Sequence, residues 1–223
     1  MSTRTIKVIK DILESNDLIA AENRSKFENA GALAINIIGS PGSGKTSLIL
    51  QTIKALQHKK KIGVIEGDVA GDIDTKRVLA GGAEDAVQIN TGGNCHLEAR
   101  MVRQAMQNIN LNALDIIFIE NVGNLICPNH WSLGEAIKLC LISVAEGDDK
   151  PIKYPEIFAA SDVIVLTKND LIAHVDFNKE FFYESLRALN PTAPLLEISS
   201  RTGDGIQGWS GWLVDQCAQK RKS

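Results

Sequence analysis

The sequence predicts an α/β fold, with a mostly parallel, seven-stranded sheet, helices on both faces and an extra helix at the N-terminus. Short runs that are apolar at nearly every position alternate with stretches of helical periodicity. Strands that are buried on both faces and alternate with helices are typical of parallel sheets. A glycine-rich segment, residues 39–46, lies between the first apolar run and the helical stretch that follows it.

Apolar patterning predicts where each element lies. Residues 4–29 carry an approximate helical stripe that Gly31 ends. We therefore expect an N-terminal helix, residues 1–30, packed on the outside of a single domain that spans 31–223. Strands are predicted at 33–38, 62–66, 86–89, 115–119, 139–144, 162–167 and 195–198. Helices are predicted near 45–58, 95–109, 176–189 and 205–219.

The composition of the chain limits the classes of function that it can have. The chain has 223 residues and is 44% apolar, which is ample for a core. Its net charge of −3 gives no electrostatic footprint for nucleic acid or an anionic membrane. The apolar runs are too short to span a bilayer, and the charged N-terminus has no secretory apolar region. We expect four reduced cysteines in a cytoplasmic protein with neither a nucleic-acid nor a membrane partner.

The segment "GSPGSGKT", residues 39–46, matches the phosphate-binding pattern G-x-x-x-x-G-K-[ST] without a mismatch. It follows a predicted strand and opens a predicted helix, so backbone N–H groups and the helix dipole can surround phosphate oxygens. This context predicts a P-loop NTPase fold. The loop residues expected to bind nucleotide are Gly39, Gly42, Ser43, Gly44, Lys45, Thr46 and Ser47.

A magnesium nucleotide site also needs carboxylates at the ends of neighbouring strands. Asp68 follows the second predicted strand and Glu120 ends the fourth. We expect Thr46, Asp68 and Glu120 to be Mg²⁺ ligands beside a bound nucleoside triphosphate.

The segment "VLTKNDL" after the sixth strand indicates which base is bound. GTPases carry N-K-x-D there, and the aspartate accepts two hydrogen bonds from guanine that adenine cannot supply. Lys168 and Asp170 match this pattern, although Thr167 replaces the asparagine. The loop at 199–205 resembles the one that brackets guanine in GTPases, so Ser200 and Arg201 are further candidates.

Hydrolysis requires a positioned water and stabilisation of the transferred phosphoryl group. We assign catalytic roles to Lys45, Asp68 and Asp74. Asp72 is an alternative acid, and Arg77 is a candidate to stabilise charge. No glutamine is placed as in small signalling GTPases, so we expect slow turnover.

Cys95 and His96 adjoin at the start of a predicted helix, where the helix dipole would lower a thiol pKa. Cys127 comes 32 positions later, just after the strand of Glu120. Thiolate with imidazole suits Ni²⁺ or Zn²⁺, and His130 is a possible extra ligand. Spacing alone leaves open that Cys127 is simply buried and that His96 caps a helix. Cys140 and Cys217 are expected to be packing residues.

Three segments together resemble a known family: "NTGGNCHLEARMV" (90–102), "FIENVGNLICP" (118–128) and "EGDDKPIKYPEIF" (146–158). They are similar to the hydrogenase nickel-incorporation GTPases, the HypB family, from about residue 30 to the C-terminus. The urease-accessory GTPases share the layout but carry Cys-Pro-His, and no proline separates Cys95 from His96 here.

The resemblance implies a GTPase domain that dimerises with GTP bound. It implies nickel delivery to the large subunit of nickel–iron hydrogenase, together with a partner metallochaperone. It implies phosphate and Mg²⁺ roles for Lys45, Thr46, Asp68 and Glu120, and a metal site at Cys95, His96 and Cys127.

Two moving parts are implied as well. Residues 69–77 would be the first switch and 146–156 the next, with Lys153 reaching a partner subunit's nucleotide. The cysteine-rich or histidine-rich N-terminal motif of some members is missing, so we expect no tight N-terminal nickel site.

Cys127 lies seven positions after Glu120, which suggests that the nucleotide state controls metal geometry or dimer assembly. Two alternatives stay open: a scaffold that binds nucleotide without hydrolysis, and an ATP-dependent small-molecule kinase. The guanine pattern argues against the kinase.

Overall fold

The computed structural model describes residues 8–69 and 71–220, and a seven-stranded sheet forms its centre. The strand order is β3-β2-β4-β1-β5-β6-β7, and every pairing among these strands is parallel. The strands are β1 (Leu33–Gly39), β2 (Ile62–Asp68), β3 (Asp85–Asn90), β4 (Ile116–Glu120), β5 (Ile137–Ser143), β6 (Val163–Thr167) and β7 (Leu195–Glu197). The prediction of a mostly parallel α/β sheet is confirmed.

The strand order places the glycine-rich segment at the centre of one sheet edge. β1 lies between β4 and β5, with β2 and β3 beyond β4 on one side and β6 and β7 beyond β5 on the other, so the direction of the strand order reverses at β1. The crevice beyond the carboxyl ends of strands at such a switch point is where parallel sheets bind ligands. Residues that follow β1, β2, β4 and β6 therefore converge there.

The helices agree with the prediction where they are long. They are α1 (Val8–Asn29), α2 (Lys45–Leu56), α3 (Ile73–Ala80), α4 (Ala99–Ala105), α5 (Lys150–Lys153), α6 (Pro155–Ala160), α7 (Lys179–Leu189) and α8 (Ile206–Lys220). Residues 4–7 of the predicted first helix lie outside the described residues. The prediction of one helix over 95–109 is wrong, because α4 covers only the middle of that range and a 3-10 turn follows it.

Side chains alternate between the two faces of the sheet. Ile35 and Ile37 of β1 pack with α2 and α8 on one face, around the fully buried Trp209. Indole Nε1 of Trp209 donates a 2.8 Å hydrogen bond to Thr52 Oγ1, which satisfies its buried polar atom. On the other face, Ile38 packs with α6 and α7.

The N-terminal helix α1 packs against α4 on that second face. Phe27 of α1 is buried in a cluster with Val102 and Ala105 of α4. Gly31 follows α1 with a φ of 74° and so ends the helix in the left-handed region that glycine favours. Within 8–69 and 71–220, no helix combines the length and apolar character that crossing a bilayer would need.

Candidate functional site

The glycine-rich segment forms a tight loop that ends in the first turn of α2. Gly42 and Gly44 have φ values of 74° and 104°, a region that L-residues with side chains rarely adopt. Gly39 meets a different constraint, since a Cβ there would lie 2.5 Å from the carbonyl oxygen of Leu141. The loop therefore needs glycine at these three positions to bring its backbone around an anion.

Lys45 is 8% exposed and lies across this loop. Its Nζ donates to the carbonyl oxygens of Gly39 at 3.2 Å and Ser40 at 3.3 Å. Burial lowers the pKa of the Lys45 ammonium, and the nearby Glu120 carboxyl acts in the opposite direction. A phosphate bound in the cleft would give the Lys45 ammonium an anionic hydrogen-bond partner, which is a stronger partner than a neutral carbonyl.

An open cleft of about 660 Å³ lies in front of the loop. Thr46, Asp68, Asp74, Arg77 and Glu120 all line it, so the predicted phosphate, Mg²⁺ and switch residues meet at one place. Asp74 Oδ1 lies 2.6 Å from an Arg77 guanidinium nitrogen, and Asp72 pairs with Lys76 on the outside of α3.

Glu120 has the environment of a carboxylate that can bind a cation. Its Oε1 accepts a 2.9 Å hydrogen bond from Thr46 Oγ1, and its buried Oε2 has no partner among the described residues. Burial raises the pKa of Glu120 from 4.5 to about 7, against the lowering effect of Lys45. An oxygen pair of this kind fits Mg²⁺.

Sequence reasoning missed a second buried acid, Glu66, which also lines the cleft. Glu66 Oε2 accepts a 2.6 Å hydrogen bond from Thr75 Oγ1 of α3, and burial raises the pKa of its carboxyl. The sequence signal that could have identified Glu66 is its position near the end of β2, two residues before Asp68. Glu66 therefore ties α3, which overlaps the predicted first switch, to the sheet.

A second cavity of about 400 Å³ adjoins the cleft, and Gly44, Ser47 and Lys168 line both. Asp170, Ser200 and Arg201 complete its predicted lining residues. Lys168 has a φ of 57°, a left-handed conformation that costs a non-glycine residue roughly 1–2 kcal/mol. The structure thus places the predicted base-recognition residues beside the phosphate loop.

Two hydroxyl groups fix this cavity. Thr167 Oγ1 donates a 2.6 Å hydrogen bond to the carbonyl oxygen of Ser43, which joins β6 to the phosphate loop. Ser199 Oγ donates to Asp170 Oδ1 at 2.6 Å. Thr167, which occupies the position of the asparagine in N-K-x-D, therefore contacts the phosphate loop. Ser199 was a residue that the sequence reasoning left out.

The backbone carbonyls of Gly39 and Ser43 hold the loop in place through hydrogen bonds. The carbonyl oxygen of Gly39 contacts Lys45, and that of Ser43 accepts from Thr167. The Ser43 side chain is fully buried, and its Oγ has no partner among the residues that the structure describes.

Cys95, His96 and Cys127 form a cluster beside the cleft. One ligand atom from each of them lies within 4.8 Å of the others, and Cys95 Sγ is 3.6 Å from His96 Nδ1. A sulfur and a nitrogen on one tetrahedral ion are separated by roughly 3.5 Å, given the usual metal–ligand distances. The three side chains therefore fit a single ion with little movement.

The prediction that a helix dipole lowers the pKa of the Cys95 thiol is wrong. The helix begins only at Ala99, and Cys95 lies in an exposed loop. A hydrogen bond with the Cys127 side chain raises the pKa of the Cys95 thiol instead of lowering it. Burial lowers the pKa of His96, which favours the neutral imidazole that binds metals.

Two asparagine side chains explain why the helix starts late. In a helix that began at Cys95, the Ala99 N–H would donate to the Cys95 carbonyl. Here Asn124 Nδ2 donates to the Cys95 carbonyl at 3.3 Å, and the Ala99 N–H donates to Asn16 Oδ1 at 2.9 Å. Side chains from two other parts of the chain thus replace both ends of that bond.

The cluster of Cys95, His96 and Cys127 is attached to the segment that follows the strand of Glu120. Asn121, the next residue, accepts the Leu97 N–H on Oδ1 at 3.1 Å. Asn124 contacts Cys95 and also accepts the N–H of Ile126, which precedes Cys127. Sequence reasoning quoted this segment but assigned neither asparagine a role.

His130 and Lys153 lie apart from these sites. His130 Nε2 is 3.3 Å from Glu156 Oε2, and His130 does not belong to the cluster of three. Lys153 Nζ is 2.5 Å from Asp149 Oδ2 on the surface of α5. Cys140 and Cys217 are buried in the core, as predicted.

Sheet order, glycine-rich loop and cleft define a P-loop nucleotide-binding domain. Residues 33–197 match the family model for the CobW/HypB/UreG nucleotide-binding domain. The hydrogenase maturation factor HypB of Rhizobium leguminosarum bv. viciae is 48% identical over 217 residues, or 97% of this chain and 72% of that protein. The chain belongs to the HypB family of hydrogenase maturation factors.

Solved structures agree with this assignment. HypB from Archaeoglobus fulgidus superimposes with a TM-score of 0.85 at 38% identity, over 92% of this chain and 99% of that chain. HypB from Helicobacter pylori in complex with nickel gives a TM-score of 0.88 at 34% identity, over 92% and 96%. The predicted family and fold are confirmed.

Proposed function

We propose that the chain is a GTP-hydrolysing metallochaperone that helps to insert nickel into nickel–iron hydrogenase. It would act as a GTP-dependent homodimer, with a nickel metallochaperone and the hydrogenase large subunit as partners. One observation carries the proposal: Asn124 attaches the thiol–imidazole cluster to the segment that leaves the strand of Glu120.

Nucleotide binding uses groups that are already in place. Lys45 would exchange two carbonyl contacts for phosphate oxygens, and the residues at the start of α2 line the same cleft. Thr46, Asp68 and Glu120 would hold Mg²⁺, which neutralises phosphate charge when bound. Asp74 would orient the attacking water, and its pairing with Arg77 keeps both side chains at the cleft.

Guanine selectivity follows from Asp170. Its carboxylate would accept hydrogen bonds from the guanine N1–H and 2-amino group, and Ser199 fixes its orientation. Adenine offers no donor pair there, so an ATP complex would leave the carboxylate unmatched at a cost of about 1–3 kcal/mol.

The cluster would carry the metal as cargo. Two thiols and a neutral imidazole suit Ni²⁺ or Zn²⁺, and three ligands leave a coordination position open. Cys95 is exposed, so the cluster is accessible to a partner. Nickel is favoured over zinc as cargo because HypB from Helicobacter pylori has been solved in complex with nickel.

Two orthogonal variants test the proposal. Lys45→Ala should abolish GTP turnover measured by phosphate release and keep nickel binding. Cys127→Ala should lose nickel binding measured by calorimetry and keep GDP affinity. Cys140→Ala is the matched control, because that thiol is buried in the core, and it should change neither.

Several results would contradict the proposal. One is wild-type protein that shows no preference for GTP over ATP in the presence of Mg²⁺. Another is Cys127→Ala protein that binds nickel as well as wild type. Binding of GTP without measurable turnover would favour the scaffold alternative.

A further inference from the structure

We propose that Asn16 and Asn23 of α1 are positioning residues for the metal site. Their amide side chains tie together the two segments that carry the cluster, residues 95–99 and 127–133, and so set the spacing of its ligands. This inference rests on the proposed metal site and gives the N-terminal helix a role in it.

Asn16 bridges the two segments directly. Its Oδ1 accepts a 2.9 Å hydrogen bond from the Ala99 N–H, three residues after His96. Its Nδ2 donates to the carbonyl oxygen of Ser132 at 2.8 Å, five residues after Cys127. One amide group thus contacts both segments, with donor and acceptor each matched to its partner.

Asn23 makes the same bridge two helical turns later. Its Nδ2 donates to the carbonyl oxygen of Ala99 at 2.8 Å and to that of Leu133 at 3.1 Å. Both partners are carbonyls, so the amide orientation is fixed. Because Ala99 is bound through its N–H by Asn16 and through its C=O by Asn23, the backbone after His96 is anchored from both sides.

The burial of these side chains makes the bridge rigid. Asn16 is 5% exposed and Asn23 is fully buried, so water cannot replace the lost bonds without rearrangement. Apolar packing around Phe27 would dock α1 without these amides. The long-range hydrogen bonds of both amides go to the two metal-bearing segments.

A ring contact carries the effect to the cluster. Trp131, next to Ser132, stacks on His96 with ring centroids 4.5 Å apart and an interplanar angle of 26°. His96, Ala99, Asn16, Ser132 and Trp131 therefore form a closed path of covalent, hydrogen-bond and stacking contacts. This path presents His96 Nδ1 to Cys95 Sγ.

Removing Asn16 breaks this path, and removing Asn23 removes the parallel bridge between Ala99 and Leu133. In Asn16→Ala the Ala99 N–H and the Ser132 carbonyl both lose their partner on α1, so the spacing between the segments that carry His96 and Trp131 is less firmly fixed. Partners that orient metal ligands typically contribute 10–100-fold to metal affinity. We expect Asn16→Ala and Asn23→Ala each to weaken nickel binding by about tenfold.

The test compares nickel binding with nucleotide binding in the full chain. Wild type, Asn16→Ala, Asn23→Ala and Cys127→Ala are titrated with Ni²⁺ while thiolate-to-nickel charge-transfer absorption is recorded. GDP affinity in Mg²⁺ is measured on the same samples. Ser25→Ala is the control on α1, because the Ser25 hydroxyl bonds to the Ala21 carbonyl within its own helix.

The expected result is weaker nickel binding and an altered charge-transfer band in both asparagine variants, with GDP affinity and the Ser25→Ala protein unchanged. Wild-type affinity and an unchanged band in both variants would overturn the inference, while loss of binding in Cys127→Ala would still support the metal site. Nickel binding by Cys127→Ala at wild-type strength would instead overturn the metal site.

A second variant keeps the test decisive if Asn16→Ala does not fold. Asn16→Ser keeps a polar group at this buried position, but its hydroxyl is too short to bond both Ala99 and Ser132. If Asn16→Ala loses GDP binding through unfolding, Asn16→Ser decides: an affinity reduced with GDP binding intact supports the inference, and wild-type affinity overturns it.

Discussion

Glu120 is the residue whose substitution gives the sharpest energetic prediction. Its side chain is 6% exposed, and burial raises its pKa from 4.5 to about 7. Because the folded pKa lies above the unfolded one, the carboxyl contributes stability below about pH 4.5. That contribution is lost as the pH rises through 7. At pH 8 without ligands, the folded protein must therefore bury a charged carboxylate.

The magnitude follows from the shift. A shift of about 2.5 units corresponds to ~3 kcal/mol at pH 8. Glu120→Gln removes the charge and keeps the acceptor for Thr46 Oγ1. In the metal-free, nucleotide-free protein the variant should therefore be more stable than wild type by up to ~3 kcal/mol at pH 8, or ~6–12 °C in Tm. The difference should nearly vanish at pH 4.5.

The assay is thermal and urea denaturation in a chelator at both pH values. Glu184→Gln, at an exposed position of α7, is the matched control and should leave the Tm within a degree or so. Adding Mg²⁺ and GDP should reverse the order, because the variant lacks the carboxylate that receives the ion. Equal stability of variant and wild type at pH 8, or the same gain at both pH values, would refute the reasoning.

The remaining predictions concern the base site and the metal cluster. Asp170→Asn should lose at least about a hundredfold in GTP affinity, the equivalent of two charge-assisted hydrogen bonds, and should gain affinity for xanthosine triphosphate. Thr167→Val leaves the Ser43 carbonyl unpaired and should lower the unfolding free energy by ~1–3 kcal/mol, whereas Thr167→Ser should not. His130→Ala should leave nickel affinity within about twofold, since its ring contacts Glu156. Opposite results in calorimetry or urea titration would contradict each of these.

The five inner strands were predictable because they are buried on both faces and appear as nearly uninterrupted apolar runs, whereas the edge strands β3 and β7 are only partly buried. The short helices were not, since α5 and α6 have four and six residues and are too brief for apolar periodicity. Pro151 and Pro155, each in the first turn of its helix, were the available signal.

The candidate site divides in the same way. The phosphate loop was predictable because its chemistry is contiguous in sequence. The start of α4 was not, because Asn16 and Asn124 replace its first hydrogen bond from more than 25 residues away. Likewise, no pattern in the sequence connects Trp131 with His96. Contacts of this kind become visible only when the fold brings distant segments together.

One measurement tests most directly the claim that the nucleotide site governs the metal cluster. Wild-type protein is titrated with Ni²⁺ against a competing chelator, once with Mg²⁺ and GDP and once with Mg²⁺ and a non-hydrolysable GTP analogue. The connection through Asn121 and Asn124 predicts affinities that differ by at least about fivefold, the lower end of typical coupling between sites. Equal affinities in the two nucleotide states would contradict the account.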